Sequence, residues 1–169
     1  LFNSMLNERL AEITQKPGAT FLGAISNQGR FIGSKEVYVL SALVEEGGLA
    51  QGLRALYTEG ERVARFGFTA TELERQKSEM MRVFENALAE KETEDSGTYA
   101  EEFGRAFLQK EPTPGIQYEY DLHVQFLPGI TLDETNRLAK EWMTEKNRVI
   151  MANAPEKEGA RVPNEKELL

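Results

Sequence analysis

His123 is the single imidazole in 169 residues, and no cysteine accompanies it. A catalytic triad with an imidazole base would have to use that ring. The stretch around it, Tyr118-Glu119-Tyr120-Asp121-Leu122-His123-Val124-Gln125-Phe126, brings no second ligand or nucleophile near it in sequence. The plainer reading of His123 is a surface or core-edge residue. A zinc hydrolase site draws on about three nitrogen or oxygen ligands plus a base, so only an unusual carboxylate-rich site could form here. Calcium prefers closely spaced acids with a glycine. Glu92-Thr93-Glu94-Asp95-Ser96-Gly97 has the acids without the spacing, and a capped helix boundary explains it better. Gly47, Gly48 and Gly52 form neither a GxGxxG nor a lysine-bearing phosphate loop. Gly48 and Gly52 read instead as glycines that let a helix approach another surface. Tyr99, Phe103 and Phe107 read as core packing, and Glu72, Glu74, Glu79 and Glu85 as the wet face of a helix. No catalytic, cofactor-binding or metal-binding residue is assigned on these grounds.

The absence of cysteine also removes disulfides and thiolate chemistry, and leaves the redox compartment open. A net charge of −8 sits badly with nucleic acid, whose phosphates need a basic face. The basic residues are interleaved with Glu along helical stretches. No apolar run approaches the roughly 18–20 residues that span a bilayer. The length fits one domain with an ordinary core, and the balance of 40% hydrophobic and 28% charged residues is that of a globular protein.

The elements that would position these residues follow from periodicity. Residues 1–14 read as an amphipathic helix with Leu1, Met5, Leu6, Leu10 and Ile13 on one stripe, stopped by Pro17-Gly18. The helical spacing begins at the first residue, so the numbering is expected to start inside a longer protein. Thr20 to Ser26 alternates, with Phe21, Gly23 and Ile25 against Leu22 and Ala24. Asn27-Gln28-Gly29 looks like a turn or bulge, after which Phe31-Ile32 continues the strand. Val37 to Val44 is apolar on both faces and predicts a strand near the middle of a sheet. From 46 to 145 the pattern is helical. One helix carries Leu49, Leu53, Leu56 and Val63 and ends at Phe66-Gly67-Phe68. Thr69-Ala70-Thr71-Glu72 is a capping box. It opens a long helix with Leu73, Met80, Phe84 and Leu88 inward and Lys77 interrupting the stripe. Asp95-Ser96 caps the next helix, which Pro112-Thr113-Pro114-Gly115 breaks. Residues 116–127 are ambiguous. A second capping box, Thr131-Leu132-Asp133-Glu134, precedes a helix with Leu138 and Trp142, and Arg148 to Ala152 predicts a returning strand. Glu156-Lys157-Glu158-Gly159 looks like a linker, and Val162-Pro163-Asn164-Glu165 could start a helix. Strands segregated from helices imply an α+β fold, an antiparallel sheet covered on one face by several helices. Further strands are expected to lie before Leu1.

Taken whole, "VEEGGLAQGLRALYTEGERVARFGFTATELERQKSEMMRVFENALAEK" resembles the second half of a domain of the insulinase/pitrilysin family of zinc metallopeptidases. "LFNSMLNERLAEI" is similar to the helix before it in that family, and "GITLDETNRLAKEWMTEKNRVIMANAP" to the domain's closing helix and strand. The resemblance spans about residues 1–155, a partial non-catalytic domain, with 156–169 as a linker toward a following lobe. It implies repeated α+β domains paired into two lobes around a chamber. It also implies zinc held elsewhere in the full-length protein by an HxxEH helix and a downstream Glu. No position here matches that motif, so no zinc or catalytic residue is carried over.

The chain is therefore expected to be a chamber-wall, substrate-binding part of a zinc-dependent metalloendopeptidase, inactive and zinc-free as a fragment. Its expected partners are peptide or unfolded protein substrate, the zinc-bearing domain before it and the second lobe, with self-association of the fragment through open strand edges. Neither nucleic acid nor membrane is among them. An extracytoplasmic, periplasmic-type location follows from the resemblance alone. Two rivals remain: a structural or interaction subunit of the same fold with no peptidase activity, and an unrelated α+β binding domain, which a parallel sheet would favour.

Overall fold

The computed structural model describes residues 1–32, 35–93, 95–157 and 162–168, without the side chain of Ile32. Helix α1 (Phe2–Thr14) is followed by strands β1 (Gly23–Ile32) and β2 (Lys35–Leu43) and helices α2 (Leu49–Phe66), α3 (Ala70–Glu90), α4 (Ser96–Gln109), α5 (Ile116–Phe126), α6 (Leu132–Trp142) and α7 (Glu165–Leu168). The chain divides into two compact units, one of residues 1–73 with 132–169 and one of residues 74–131. The fold is α+β, as expected: an antiparallel sheet with helices on one face.

In the first unit, α1 packs on β1 and α2 on β2. Phe2, Met5, Leu6 and Leu10 of α1 meet Phe21, Leu56, Val63, Phe68, Leu73 and Ala139 in one core. Ala24, Tyr38, Leu40 and Ala42 pack onto it from the sheet. Tyr38 stacks on Trp142, and the Phe2 ring meets Tyr38, Phe68 and Trp142 edge-on at 4.9–5.9 Å. Two glycines set how closely α2 approaches its neighbours. A Cβ on Gly52 would strike the Val44 side chain, and one on Gly60 would lie 3.1 Å from Leu40 Cδ1 and from Met143 Sδ.

The sheet differs from the expectation in four ways. First, residues 27–29 form no turn or bulge. β1 runs straight through them, and the irregularity falls between Arg30 and Ile32. Second, β2 has β1 as its one ladder partner among the described residues, so in the two-stranded sheet they form it is not flanked on both sides. Its apolar character on both faces has another cause: one face meets the helices and the other is left open. Third, Arg148 to Ala152 forms no strand, and Val149 and Met151 are exposed. An apolar run becomes a strand only by finding a ladder. Here Arg148 instead donates to Tyr57 Oη at 2.9 Å, with its guanidinium over that ring. Fourth, the alternation from Phe21 does not hold. Phe21 is 2% exposed in the core while Ile25 is 50% exposed on the opposite face, because the regular pleat starts at Gly23.

The capping box at Thr69 is present. Thr69 N donates to Glu72 Oε2 at 2.7 Å, and Glu72 N donates to Thr69 Oγ1 at 3.3 Å. Asn164 and Glu167 close a similar reciprocal pair at α7, with N–H···O distances of 2.9 and 3.3 Å. Residues 116–126, ambiguous in sequence, are helix α5, continued by a single 3₁₀ turn over Leu127–Gly129.

In the second unit the packing is thinner. Along α3 the residues expected to face inward, Met80, Phe84 and Leu88, are only half-buried. Lys77 lies along them and turns its ammonium out to Glu74 at 3.1 Å and the Pro128 carbonyl at 3.3 Å. The aromatic stripe of α4 is not core: Tyr99, Phe103 and Phe107 are all exposed, and α4 buries no residue. Thr69→Ala is expected to cost about 1 kcal/mol, the usual loss of such a cap. Phe84→Ala is expected to cost about 2 kcal/mol, below the roughly 3–5 kcal/mol of a fully buried ring. Urea unfolding of the two variants measures both. A Phe84→Ala loss at or above 3 kcal/mol would show that the ring is more deeply packed than its half-burial implies.

Candidate functional site

The residues with chemical potential do not converge. On α5, the His123 ring lies 3.6 Å, centroid to centroid, from Phe84, and its Nδ1 is 2.7 Å from the Glu119 carbonyl oxygen one turn back. Among the described residues no three of His, Asp and Glu gather as metal ligands would. The densest carboxylate group, Glu59 and Glu72, is gathered around a guanidinium. Arg9 Nε and Nη2 donate to Glu72 at 2.6 and 2.9 Å, its Nη1 reaches Glu59 Oε1 at 3.5 Å, and its Nη2 also donates to the Gly67 carbonyl at 3.2 Å. The Phe68 ring lies under the cation at 4.9 Å. Arg9 holds the Glu72 carboxyl down to about 2, and that pair in turn raises the Arg9 value. These oxygens point at a cation the chain supplies itself, so this cluster is not arranged to hold a metal ion. The cluster is a joint between α1, α2 and the start of α3.

A second polar cluster fixes β1. Ser26 Oγ lies 2.7 Å from Asn3 Oδ1 and 2.9 Å from Tyr38 Oη. Asn7 takes both main-chain groups of Ser26, accepting from its N–H at 2.6 Å and donating to its carbonyl at 3.1 Å. The amide of α1 thus stands where a neighbouring strand would pair, which closes the β1 edge at that point. Burial raises the Tyr38 hydroxyl's value against the lowering effect of Ser26.

What remains open is the outer face of the hairpin. The register pairs Gly23 with Leu43, Ile25 with Ser41, Asn27 with Val39 and Gly29 with Val37 on that face. Ile25, Val39 and Leu43 are exposed there, and none of the eight residues is ionisable. In a chain with 28% charged residues, such a surface suits apolar and small polar groups. The sequence offered an alternation from Phe21 but not the point at which the pleat begins, so which face lies open was not legible in it.

Solved structures share this fold. The first half of the periplasmic protease PqqL of Escherichia coli superimposes with a TM-score of 0.72 over 82% of this chain and 30% of that one, at 20% identity. The fold is similar to those of insulinase-family protease domains. A predicted insulinase-family protease of Yersinia pestis matches with a TM-score of 0.70 over 85% of this chain and 31% of its own, at 13% identity. In sequence, a protein of Arabidopsis thaliana described as "Zinc protease PQQL-like" is 32% identical over 94 residues, 56% of this chain. No family model matches. This chain spans 10% of the Arabidopsis protein and about a third or less of the solved chains. No helix among the described residues is long and apolar enough to cross a membrane.

Proposed function

We propose that this chain is a non-catalytic, chamber-wall part of a zinc-dependent metalloendopeptidase, and that the open face of the β1–β2 hairpin touches the peptide being cut. The observation that carries the reading is the fold match to the first half of PqqL, itself described as a periplasmic protease. The uncharged hairpin face supports it, because a wall that receives many peptide sequences works through adaptable apolar contact and not through a fixed charge pocket. In this reading zinc and the catalytic base belong to another domain of the longer protein, which works outside the cytoplasm.

The test is made in that longer protein. Ile25→Asp and Val39→Asp are expected to raise KM for an apolar peptide by about tenfold while kcat and zinc content stay unchanged, the signature of lost uniform binding. His123→Ala is expected to change none of the three. Unaltered KM in both aspartate variants would overturn the substrate contact. Activity abolished by His123→Ala, with fold and zinc retained, would overturn the division of labour between domains. A longer protein without an HxxEH motif anywhere would favour a structural subunit instead.

A further inference from the structure

The second unit carries an apolar surface that its own packing leaves uncovered. On α4 two adjacent rows run one turn per step, Tyr99, Phe103 and Phe107 beside Ala100, Gly104 and Leu108. Phe103 is 60%, Phe107 85% and Leu108 79% exposed. Around Gly104 a Cβ would meet nothing within 4 Å, so Ala100 and Gly104 form a shallow lane between the phenylalanines and Leu108. None of these six residues is charged.

The surroundings are acidic. Between Glu74 and Thr131 twelve acidic residues face six basic ones, so this unit holds a net −6 of the chain's −8. On α4 itself sit two of the acids, Glu101 and Glu102, and one of the bases, Arg105. Asp95 caps its first turn, accepting from Gly97 N at 2.7 Å. A face of this kind meets three classes of surface. A second copy would bring −6 against −6, and an anionic bilayer would be repelled in the same way. A cationic amphipathic helix is complementary on both counts. Its apolar stripe covers Phe103, Phe107 and Leu108, its backbone comes close over Ala100 and Gly104, and its lysines or arginines meet Glu101, Glu102 and the net negative charge of the unit.

We infer that the exposed face of α4 is a docking surface for a basic, amphipathic helical segment of another polypeptide. Aromatic side chains provide the binding energy and the acidic surround provides steering and selection, as aromatic anchors and rim charges do in interfaces generally. The surface belongs to the second unit and the hairpin face to the first, and docking on α4 does not depend on what the longer protein cleaves.

The probe is a fluorescein-labelled 18-residue peptide with leucines on one helical face and lysines elsewhere, titrated by anisotropy into the 169-residue chain. Saturable one-to-one binding is expected, weakened about tenfold or more in Phe103→Ser/Phe107→Ser, and weakened by raising NaCl from 0.05 to 0.5 M. The same peptide with glutamate in place of lysine is expected not to bind. Circular dichroism and thermal melting verify the fold of the variant. If the double variant is unfolded, Phe107→Ser alone, at the most exposed position, takes its place. Equal affinity of wild type and variant overturns the proposal, and so does equally tight binding of a lysine/serine peptide without leucines, which would show bare charge attraction. Dimers of the wild type that the same substitutions dissolve would name a second copy as the occupant. Vesicles of phosphatidylcholine that bind the wild type and not the variant would name a lipid surface. A longer protein in which the face no longer accepts the peptide would show that its own chain covers α4. Each of these three results overturns the assignment.

Discussion

Arg9→Met is expected to destabilise the chain by roughly 2 kcal/mol, below the roughly 3–5 kcal/mol of a fully buried ion pair, because the Arg9 and Glu72 side chains stay 19% and 16% exposed. One guanidinium ties α1 to Glu59 on α2, to the Gly67 carbonyl after α2 and to Glu72 in the first turn of α3. Removing it leaves Glu59, whose side chain is only 6% exposed, with Arg62 as its remaining cation at 3.0 Å. Adding Glu59→Gln should therefore recover part of the loss. The pair also sets an acid limit. Arg9 lowers the Glu72 value from 4.5 to about 2, so its contribution is fully present above about 4.5 and is lost as the pH falls toward 2. In Arg9→Met that share of the acid sensitivity disappears. Urea midpoints at pH 7 and near pH 3 measure both effects. Identical midpoints for wild type and Arg9→Met at pH 7 would show that the joint contributes nothing.

Phe21→Ala is expected to cost roughly 3–5 kcal/mol, the range for a fully buried ring. Phe21 sits just ahead of β1 and fills the core formed by α1, α2 and the sheet. Its neighbour Leu22 is exposed, and Leu22→Ala is expected to stay within about 0.5 kcal/mol. Thermal melting of the two variants compares adjacent apolar residues of opposite fate. Equal losses would mean that the chain enters the sheet with another register.

That contrast also marks what sequence could and could not reveal. Helix α1, with Met5, Leu6 and Leu10 on one stripe, was legible because a buried helical stripe repeats over several turns. The Thr69–Glu72 box was legible because its two hydrogen bonds lie within four residues and need nothing from elsewhere. The run from Arg148 to Ala152 misled for the opposite reason. Strand identity depends on a partner edge distant in sequence, and Arg148 found the ring of Tyr57 instead. The α4 stripe misled as well, since helical periodicity tells which residues share a face but not whether anything covers it.

Composition and spacing determined that this chain is α+β and that it carries one imidazole and no thiol, while its resemblance to a zinc peptidase family rests on longer stretches that lack that family's metal motif. These are local or compositional properties, readable wherever the causes lie within a few residues. Only the tertiary structure decided that Arg9, Glu59 and Glu72 meet across 63 residues of chain, that Asn7 closes the β1 edge at Ser26, and which hairpin face is left open. Each depends on where separate elements come to rest against one another. That is set by the packing of the whole core, and no short stretch of sequence encodes it.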